Sequence, residues 1–262
     1  MLGAFATACL RVLIAGVVSL AYLATIRFDA QFARWRRHYA VIGIFNGAVP
    51  FLCFAFAALH LPAGYSAILN ATTPFFGVLF AALWLGDPLD ARKAIGLVLG
   101  AVGVLLVVQL GAARDDAMFK LAVAACLLAA CCYGLAGVYL KRRMVGAPAL
   151  GVSAHSQWMS GLMLAPGALA MPPQGSIGPA VVGSMLGLAL LCSAFASVLY
   201  YRLIAEVGPS KALTVTFLIP VFAMLWGWLL LGESITPTML LGSALVLGGT
   251  GFIVHQRSPK TR

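Results

Sequence analysis

Charged side chains are scarce in this chain: Asp, Glu, Lys and Arg together make up 9% of the residues. Hydrophobic residues make up 62%, and the mean hydropathy is +1.01. Such a composition cannot cover a molecule with polar surface, which excludes a water-soluble globular protein. The apolar runs reach the ~20 residues that cross a bilayer as a helix, and they are continuous, unlike the alternating strands of a barrel. The sequence therefore predicts an all-α polytopic membrane protein.

Acidic residues are the scarcest charged group, with seven Asp and Glu against seventeen Lys and Arg. Every one of the seven lies in or beside a predicted loop. Proton relays in membrane proteins commonly use carboxylates inside the spans. The sequence therefore offers no visible residue for carboxylate-relayed proton coupling.

Catalytic and metal-binding motifs are also lacking. The sequence contains no HExxH, no GxSxG and no pair of aspartates within a span. All six cysteines lie inside predicted spans without paired metal-ligand spacing, so we interpret them as buried small hydrophobic residues. We expect no enzyme activity, no metal and no cofactor.

Nine segments have the length and composition of membrane-spanning helices. We name these spans a (3–26), b (38–58), c (63–85), d (92–110), e (119–140), f (150–171), g (179–203), h (209–231) and i (238–255). A basic loop, 27–37, is predicted between a and b, and the polar stretch 111–120 leads from d to e.

The chain repeats itself after 146 positions without a gap. The matched pairs are Pro74 and Pro220, Phe76 and Phe222, Gly86 and Gly232, Asp87 and Glu233, Gly96 and Gly242, and Gly103 and Gly249. Prolines and glycines constrain the backbone, so their coincidence indicates a true internal repeat.

The two copies are predicted to be inverted. The shift carries a onto f, b onto g, c onto h and d onto i, which is five spans in each case, so corresponding helices cross the membrane in opposite directions. The mate of span e would fall before Met1. We therefore expect a ten-helix arrangement apparently lacking its first helix, with a four-helix repeat over 1–111, a five-helix repeat over 117–256 and a tail over 257–262.

Positive charge divides unevenly between the two sides of the membrane. One side holds Arg27, Arg34, Arg36, Arg37, Arg92, Lys93, Lys141, Arg142, Arg143, Arg202, Lys211, Arg257, Lys260 and Arg262, whereas the other holds Arg114 and Lys120. The positive-inside rule makes the first side, and with it the C-terminus, cytoplasmic in the inner or plasma membrane. The net charge of +10 thus indicates topology, and we expect no nucleic-acid partner.

Two stretches carry a resemblance to a known family. They read TTPFFGVLFAALWLGD over 72–87 and LIPVFAMLWGWLLLGE over 218–233, and each is followed by a glycine-spaced helix. The chain resembles the EamA-like branch of the drug/metabolite transporter superfamily over essentially its whole length. The resemblance implies ten helices in two inverted repeats, a central cavity, and secondary transport of small metabolites by alternating access, usually export.

Arg11 is the most informative single residue, because a cation within a span costs about 2.5 to 3.5 kcal/mol on insertion scales. It is expected to face a cavity or a partner, although a structural arginine that bonds to carbonyls or snorkels outward is the alternative. It is the one cation well inside a span, and no acid there opposes it. The pathway should therefore favour anionic or zwitterionic compounds such as amino acids.

Other polar residues form stripes on the predicted helices, among them Ser153, Gln157 and Ser160 in f, and Ser193 and Ser197 in g. The predicted substrate pathway comprises Arg11, Asn46, Asn70, Thr73, Gln157, Ser197 and Tyr201. Such stripes can equally stabilise helix packing. Gln157 is the repeat mate of Arg11, so both should lie at comparable depth.

Prolines, glycines and two acids complete the predictions. Pro50, Pro74 and Pro220 are either hinges or static kinks within spans.

The glycine-rich helices 92–110 and 238–255 serve as packing elements or form a homodimer. Asp87 and Glu233 cap a neighbouring helix or pair with a loop cation such as Arg92, and neither is expected to bind substrate.

Several functions other than small-molecule transport stay open at this stage. A lipid or polyprenyl-carrier flippase would also have an apolar groove with one cation. An intramembrane enzyme and a non-functional truncated remnant are the further alternatives. Liposomes carrying a labelled lipid or a water-soluble metabolite would separate a flippase from a metabolite transporter.

Overall fold

The computed structural model describes residues 3–109, 116–170, 178–199, 203 and 218–254, and these residues contain helices and short connections. The helices are α1 (Ala4–Thr25), α2 (Phe32–Gly43), the π-helical turn π1 (Ile44–Ala48), α3 (Val49–Ala57), α4 (Ala63–Asn70), α5 (Thr73–Leu85), α6 (Ala91–Gln109), α7 (Ala117–Arg143), α8 (Ala149–Ala170), α9 (Pro179–Ala189), the π-helical turn π2 (Leu190–Phe195), α10 (Leu218–Leu231) and α11 (Pro237–Val254). The predicted all-α fold class is confirmed.

Six helical stretches of the described chain are long and apolar enough to cross a membrane. They are Ala6–Thr25, Phe32–Ala57, Ala63–Leu85, Ala91–Val108, Ala117–Arg143 and Pro179–Leu199, and two shorter apolar helices occupy Leu218–Leu231 and Pro237–Ile253. Helix α8 has 22 residues, which is a membrane-spanning length. Its serines, His155 and Gln157 make it more polar than the other spans.

Two of the predicted helix boundaries need correction, because basic residues continue the helices beyond the apolar runs. The loop predicted over 27–37 is shorter, since α2 already begins at Phe32. Span e was expected to end at 140, but α7 continues to Arg143 and carries its basic residues on its last turn. Cations at a helix C-terminus interact favourably with the helix dipole, which supports that last turn.

Span c is divided into two helices between Asn70 and Thr73. Pro74 occupies the first turn of α5, where its missing N–H costs least. The hydroxyl of Thr72 donates to the carbonyl of Leu69 at 2.6 Å, and that of Thr73 donates to the carbonyl of Asn70 at 2.7 Å. The Thr73 hydroxyl thus supplies the donor that Pro74 lacks, and the Thr72 hydroxyl adds a second donor to a carbonyl that already accepts the Thr72 N–H at 3.2 Å.

The two π-helical turns lie at corresponding positions of the repeat. Ile44, the first residue of π1, falls on Leu190, the first residue of π2, after the 146-residue shift. Pro50 is the second residue after π1 and is buried. A π turn places an extra residue in one helical turn and is frequent at functional sites.

The chain forms two compact units, each made from both repeats. The first unit contains the described residues 3–56, 139–170, 178–199 and 203, and the second contains 57–109, 116–138 and 218–254. The first unit therefore brings together the repeat mates a with f and b with g. The second brings together c with h and d with i.

Close packing in the first unit depends on small residues between α1 and α8. A side chain at Gly16 would meet the backbone nitrogen of Trp158 at 2.6 Å, and one at Gly161 would meet the side chain of Leu13 at 2.5 Å. Glycine lets membrane helices approach at backbone distance, where van der Waals contact is greatest. Helices α1 and α8 are therefore closely packed.

In the second unit, α6 and α11 pack through glycines in a symmetric pattern. A Cβ atom on Gly96 would approach the carbonyl oxygen of Gly249 to 2.5 Å, and one on Gly103 would approach that of Gly242 to 2.9 Å. These two contacts exchange under the repeat shift. The glycine-rich helices are thus packing elements within one chain, and the homodimer through them stays a prediction.

Glu233 caps a neighbouring helix, as predicted. Its two carboxylate oxygens accept the backbone N–H of Ala63, at the start of α4, at 3.0 Å each. A side chain at Gly227 would meet this carboxylate at 2.5 Å, so the glycine makes room for it. A carboxylate at a helix N-terminus is favourable, and Glu233 therefore has a structural role at the end of α10.

Candidate functional site

The first unit encloses a polar cavity of about 100 Å³. It is lined by Arg11, Asn46, Gly47, Phe51, Ser153, Ser156, Gln157, Ser160, Cys192, Ser193 and Ser197. No acidic residue is among these described lining residues. The cavity has room for a few water molecules or the polar group of a small ligand.

Arg11 reaches this cavity from α1 and contacts a hydroxyl and an aromatic ring there. Its Nε atom donates a hydrogen bond to Oγ of Ser193 at 2.8 Å. Its guanidinium carbon lies 4.4 Å from the centre of the Phe51 ring, which is a cation–π distance. These contacts give the cation partners inside the span, and its role in substrate binding stays a prediction.

Ser193 is positioned by the second π turn. Its hydroxyl donates to the carbonyl of Leu188, five residues earlier, at 3.2 Å, and its oxygen accepts from Arg11. The side chain is buried. One hydroxyl thus links the backbone at the π turn to the guanidinium.

Helix α8 contributes a row of hydroxyls and one amide. The Nε2 atom of Gln157 donates to Oγ of Ser153 at 3.2 Å, and the amide oxygen of Gln157 takes no part in that bond. The hydroxyl of Ser160 lies 2.7 Å from the carbonyl oxygens of both Gly43 and Ser156 and can donate to either. The hydroxyl row therefore also joins α8 to α2.

The first π turn meets α8 at Gly47. A side chain there would overlap Oγ of Ser160, so only glycine allows this approach. The neighbouring Asn46 is exposed and makes no side-chain hydrogen bond to the described part of the chain. Its amide is therefore available at the cavity.

The lining residues follow the internal repeat. Four pairs of lining residues are separated by 146 positions: Arg11 and Gln157, Asn46 and Cys192, Gly47 and Ser193, and Phe51 and Ser197. The cavity thus lies where the repeat mates of the first unit meet. The positions match but the chemistry differs, because one copy supplies the cation and the other supplies neutral polar groups.

The structure groups four of the predicted pathway residues and separates the others. Arg11, Asn46, Gln157 and Ser197 line the same cavity. Asn70 and Thr73 belong to the second unit, where Thr73 bonds to the Asn70 carbonyl, and their role on the pathway stays a prediction. Tyr201 lies outside the described residues.

The predicted hinge prolines have distinct surroundings. Pro50 follows π1, Pro74 follows the break between α4 and α5, and Pro220 is the third residue of α10 and is buried. All three therefore interrupt or begin helical segments within predicted spans. That these prolines act as hinges during transport stays a prediction.

The sequence did not predict four of the lining residues, Gly47, Phe51, Ser156 and Cys192. Phe51 is an aromatic residue in an apolar run, where a lipid-facing position is the default expectation. The signal that could have found it is the repeat, since Phe51 is the mate of Ser197. Pairing each polar candidate with its mate would also have named Cys192 and Gly47.

The described ranges contain no metal-ligand cluster. No group of three or more His, Cys, Asp or Glu residues there lies close enough together to hold a metal ion. The cavity chemistry is therefore that of one cation, hydroxyls and amides.

The fold and the cavity define a polytopic helical membrane protein with an internal repeat and a cation in a polar cavity. The chain belongs to the EamA-like transporter family, whose model matches it twice, over residues 2–109 and 120–255. The two matches correspond to the two copies found in the sequence. The protein is accordingly a transporter of the drug/metabolite superfamily and an integral membrane protein.

Curated relatives agree with this family. The uncharacterized transporter YoaV of Bacillus subtilis is 24% identical, over 81% of this chain and 74% of its own. The "Probable terminal-alkyne amino-acid exporter" of Streptantibioticus cattleyicolor is 27% identical, over 76% of this chain and 66% of its own. The pseudopaline exporter CntI of Pseudomonas aeruginosa is 33% identical over a shorter stretch, 24% of this chain and 22% of its own.

A solved crystal structure of another protein supports the fold alone. It matches with a TM-score of 0.65 and 17% identity, over 95% of this chain and 86% of that chain.

Proposed function

We propose that this protein is a secondary transporter that exports small anionic or zwitterionic metabolites, amino-acid-like compounds above all, across the inner or plasma membrane by alternating access. The observation that carries the proposal is the fixed guanidinium of Arg11 at a polar cavity whose described lining residues include no acid. The C-terminus is cytoplasmic in this proposal, in accordance with the distribution of basic residues.

A carboxylate is the ligand that the chemistry of this cavity favours. The planar guanidinium presents several N–H donors in a fork that suits a carboxylate, and the serine hydroxyls can add further donors. A bound cation, by contrast, would meet the positive charge of Arg11 at a cavity whose described lining residues include no carboxylate. A zwitterion can place its ammonium group near the carbonyl oxygens of Asn46 and Gln157.

The names of two relatives support export, and one of the two also supports this class of substrate. One is named as an exporter of a terminal-alkyne amino acid, which carries a carboxylate, and the other as an exporter of pseudopaline. Both names specify export. The direction and the substrate class proposed for this chain rest on these names together with Arg11.

The rival flippase function would require the cavity to accommodate a lipid. The cavity is about 100 Å³ and is lined largely by polar residues, which suits a small polar group better than an acyl chain. The proposal therefore places a water-soluble compound there, and a labelled lipid serves as the competing substrate in the experiment.

The experiment compares two replacements of Arg11 in proteoliposomes. Arg11→Gln keeps a long polar side chain but removes the charge and the ~1.5 to 3 kcal/mol of a charged hydrogen bond, so the affinity for an anionic or zwitterionic substrate should fall roughly ten- to hundred-fold. Arg11→Lys is the matched control, because it keeps the charge and loses only the guanidinium geometry. Uptake of labelled amino acids into the proteoliposomes measures transport by the wild type and by both variants.

The expected order of transport is wild type, then Arg11→Lys, then Arg11→Gln, with equal amounts of all three proteins in the membrane. Equal transport by Arg11→Gln would show that Arg11 is a structural residue. Wild-type movement of the labelled lipid without any labelled amino acid would favour the flippase.

A further inference from the structure

Two basic segments of the first unit belong to helices that contact each other. Helix α2 begins with Arg34, Arg36 and Arg37 near its N-terminus, and α7 ends with the run 141–143. All six side chains are exposed. They are distant in sequence, so their proximity is a property of the fold.

A contact between aromatic residues fixes the two segments together. Nδ1 of His38 lies 2.8 Å from the hydroxyl oxygen of Tyr139, and the two rings are 5.8 Å apart. His38 is on α2 and Tyr139 is on α7. This pair is the reference point from which the positions of the basic residues follow.

Helix spacing relates one arginine of each segment to that pair. Arg34 precedes His38 by four residues and Arg143 follows Tyr139 by four, so each lies about 6 Å along its helix axis from the contact and close to the same face of its helix. The predicted topology puts both basic segments on the cytoplasmic side, so α2 and α7 are expected to run in opposite directions past this contact. Arg34 and Arg143 therefore flank one site.

No carboxylate of the described chain forms an ion pair with Arg34, Arg37 or Arg143. Arg34 stacks instead on Trp35, with its guanidinium carbon 5.0 Å from the ring centre, and the Nε1 atom of Trp35 donates to Gln31 at 3.3 Å. The positive charges of neighbouring arginines repel one another, and an anion bound between them offsets this repulsion. The site thus has the charge of an anion-binding surface.

The location of the cluster decides which anion it fits. It lies at the ends of two membrane-spanning stretches, Phe32–Ala57 and Ala117–Arg143, where lipid headgroups are found. Phe32 and Val145 beside it are 42% and 77% exposed, which offers apolar surface for the adjoining acyl chains. A headgroup phosphate can therefore reach the arginines while its acyl chains stay in the bilayer.

We propose that the ends of α2 and α7 form a binding site for the phosphate headgroup of an anionic phospholipid. Basic residues immediately beside membrane helices attract such lipids, which are enriched on the cytoplasmic side. The inference concerns a surface away from the Arg11 cavity and does not depend on the transported substrate. The lipid would stabilise the junction of α2 with α7.

The test measures lipid binding to the purified full-length protein by native mass spectrometry. Phosphatidylglycerol and phosphatidylcholine with identical acyl chains are titrated in detergent, and the wild type should bind phosphatidylglycerol at least ten-fold more tightly. The double variant Arg34→Gln/Arg143→Gln should bind it about thirty-fold more weakly than the wild type, because two charges near the headgroup are lost. Raising the salt concentration should weaken wild-type binding in the same direction.

The matched control is the double variant Arg92→Gln/Lys93→Gln, which removes two charges at the start of α6 in the second unit. It should keep wild-type affinity, and Arg34→Lys/Arg143→Lys should restore most of the binding, which separates loss of charge from loss of folding. Equal affinity for the two lipids, or equal loss in both glutamine variants, would overturn the proposal. Displacement of the lipid by glycerol phosphate at equal concentration would do so too, since the site would then take a soluble phosphate.

Discussion

Among single residues, Ser193 orients the cation of the cavity, because its hydroxyl joins the Arg11 guanidinium to the backbone next to π2. Ser193→Ala removes the acceptor of the Nε hydrogen bond but leaves the charge and the contact with Phe51. The guanidinium is then less well oriented, and we expect transport affinity to fall about five- to ten-fold, less than for Arg11→Gln. Concentration-dependent uptake into proteoliposomes measures this loss.

Ser184→Ala is the control for that variant. Ser184 lies on α9, the same helical stretch, but is exposed, so its replacement should leave transport unchanged. A wild-type concentration dependence for Ser193→Ala would contradict the positioning role. A fall as large as that of Arg11→Gln would mean that the serine contacts substrate directly.

Residue type determined which parts of the site the sequence could predict. Arg11 and Gln157 stand out because charge and amide groups are costly within a span, and both line the cavity. Phe51 does not stand out, because an aromatic residue in an apolar run carries no such cost. Its role depends on the position of Arg11 in three dimensions, which spacing alone does not provide.

Among the helices, the break within span c could be anticipated and the π turns could not. Pro74 cannot donate a backbone hydrogen bond, and the break lies directly before it. The sequence of π1, IFNGA, has an ordinary helical composition. The extra residue in that turn is stabilised by contacts such as Gly47 with Ser160, which form only after folding.

The glycine packing of α6 predicts a contrast between two alanine substitutions. A methyl group at Gly100 would overlap the buried ring of Phe75, whereas Gly248 on α11 has nothing within 4 Å of that position. Overpacking of this kind costs about 1 to 3 kcal/mol, so Gly100→Ala should lower Tm by several degrees. Gly248→Ala should leave Tm unchanged or raise it, because alanine favours the helix by about 0.5 to 1 kcal/mol.

Thermal unfolding of both variants in the same detergent decides this prediction. Equal Tm values would show that α5 moves aside at no cost and that the glycine is not required for the packing of α6. A lower Tm for Gly248→Ala alone would indicate that this open face is covered, for example by a second copy of the chain.

For the whole molecule, the bounds of the two repeats stay a prediction, and two observations accord with a repeat. The family model matches each half separately, and the cavity pairs residues at the same 146-residue spacing. The sequence did not reveal that each compact unit takes helices from both halves. That arrangement depends on which helices pack together, and apolar composition is nearly the same for all of them.

The distribution of basic residues predicts the location of the C-terminus. Green fluorescent protein fused after Arg262 should fluoresce, and alkaline phosphatase fused there should be inactive. The reason is that the C-terminal side carries fourteen of the sixteen lysines and arginines other than Arg11. Fusions after residue 113 should give the reverse result, since Arg114 and Lys120 are the two cations of the opposite side. Active phosphatase after Arg262 would reverse the proposed topology.

The bond between Arg11 and Ser193 also has a consequence for biosynthesis. The two residues are 182 positions apart. At about 5 to 20 residues per second, the ribosome needs roughly ten to forty seconds to extend the chain from one to the other. Throughout that interval the nascent first helix carries its cation without the hydroxyl that later receives it, and the assembly of the first unit must wait for the second half of the chain to be translated.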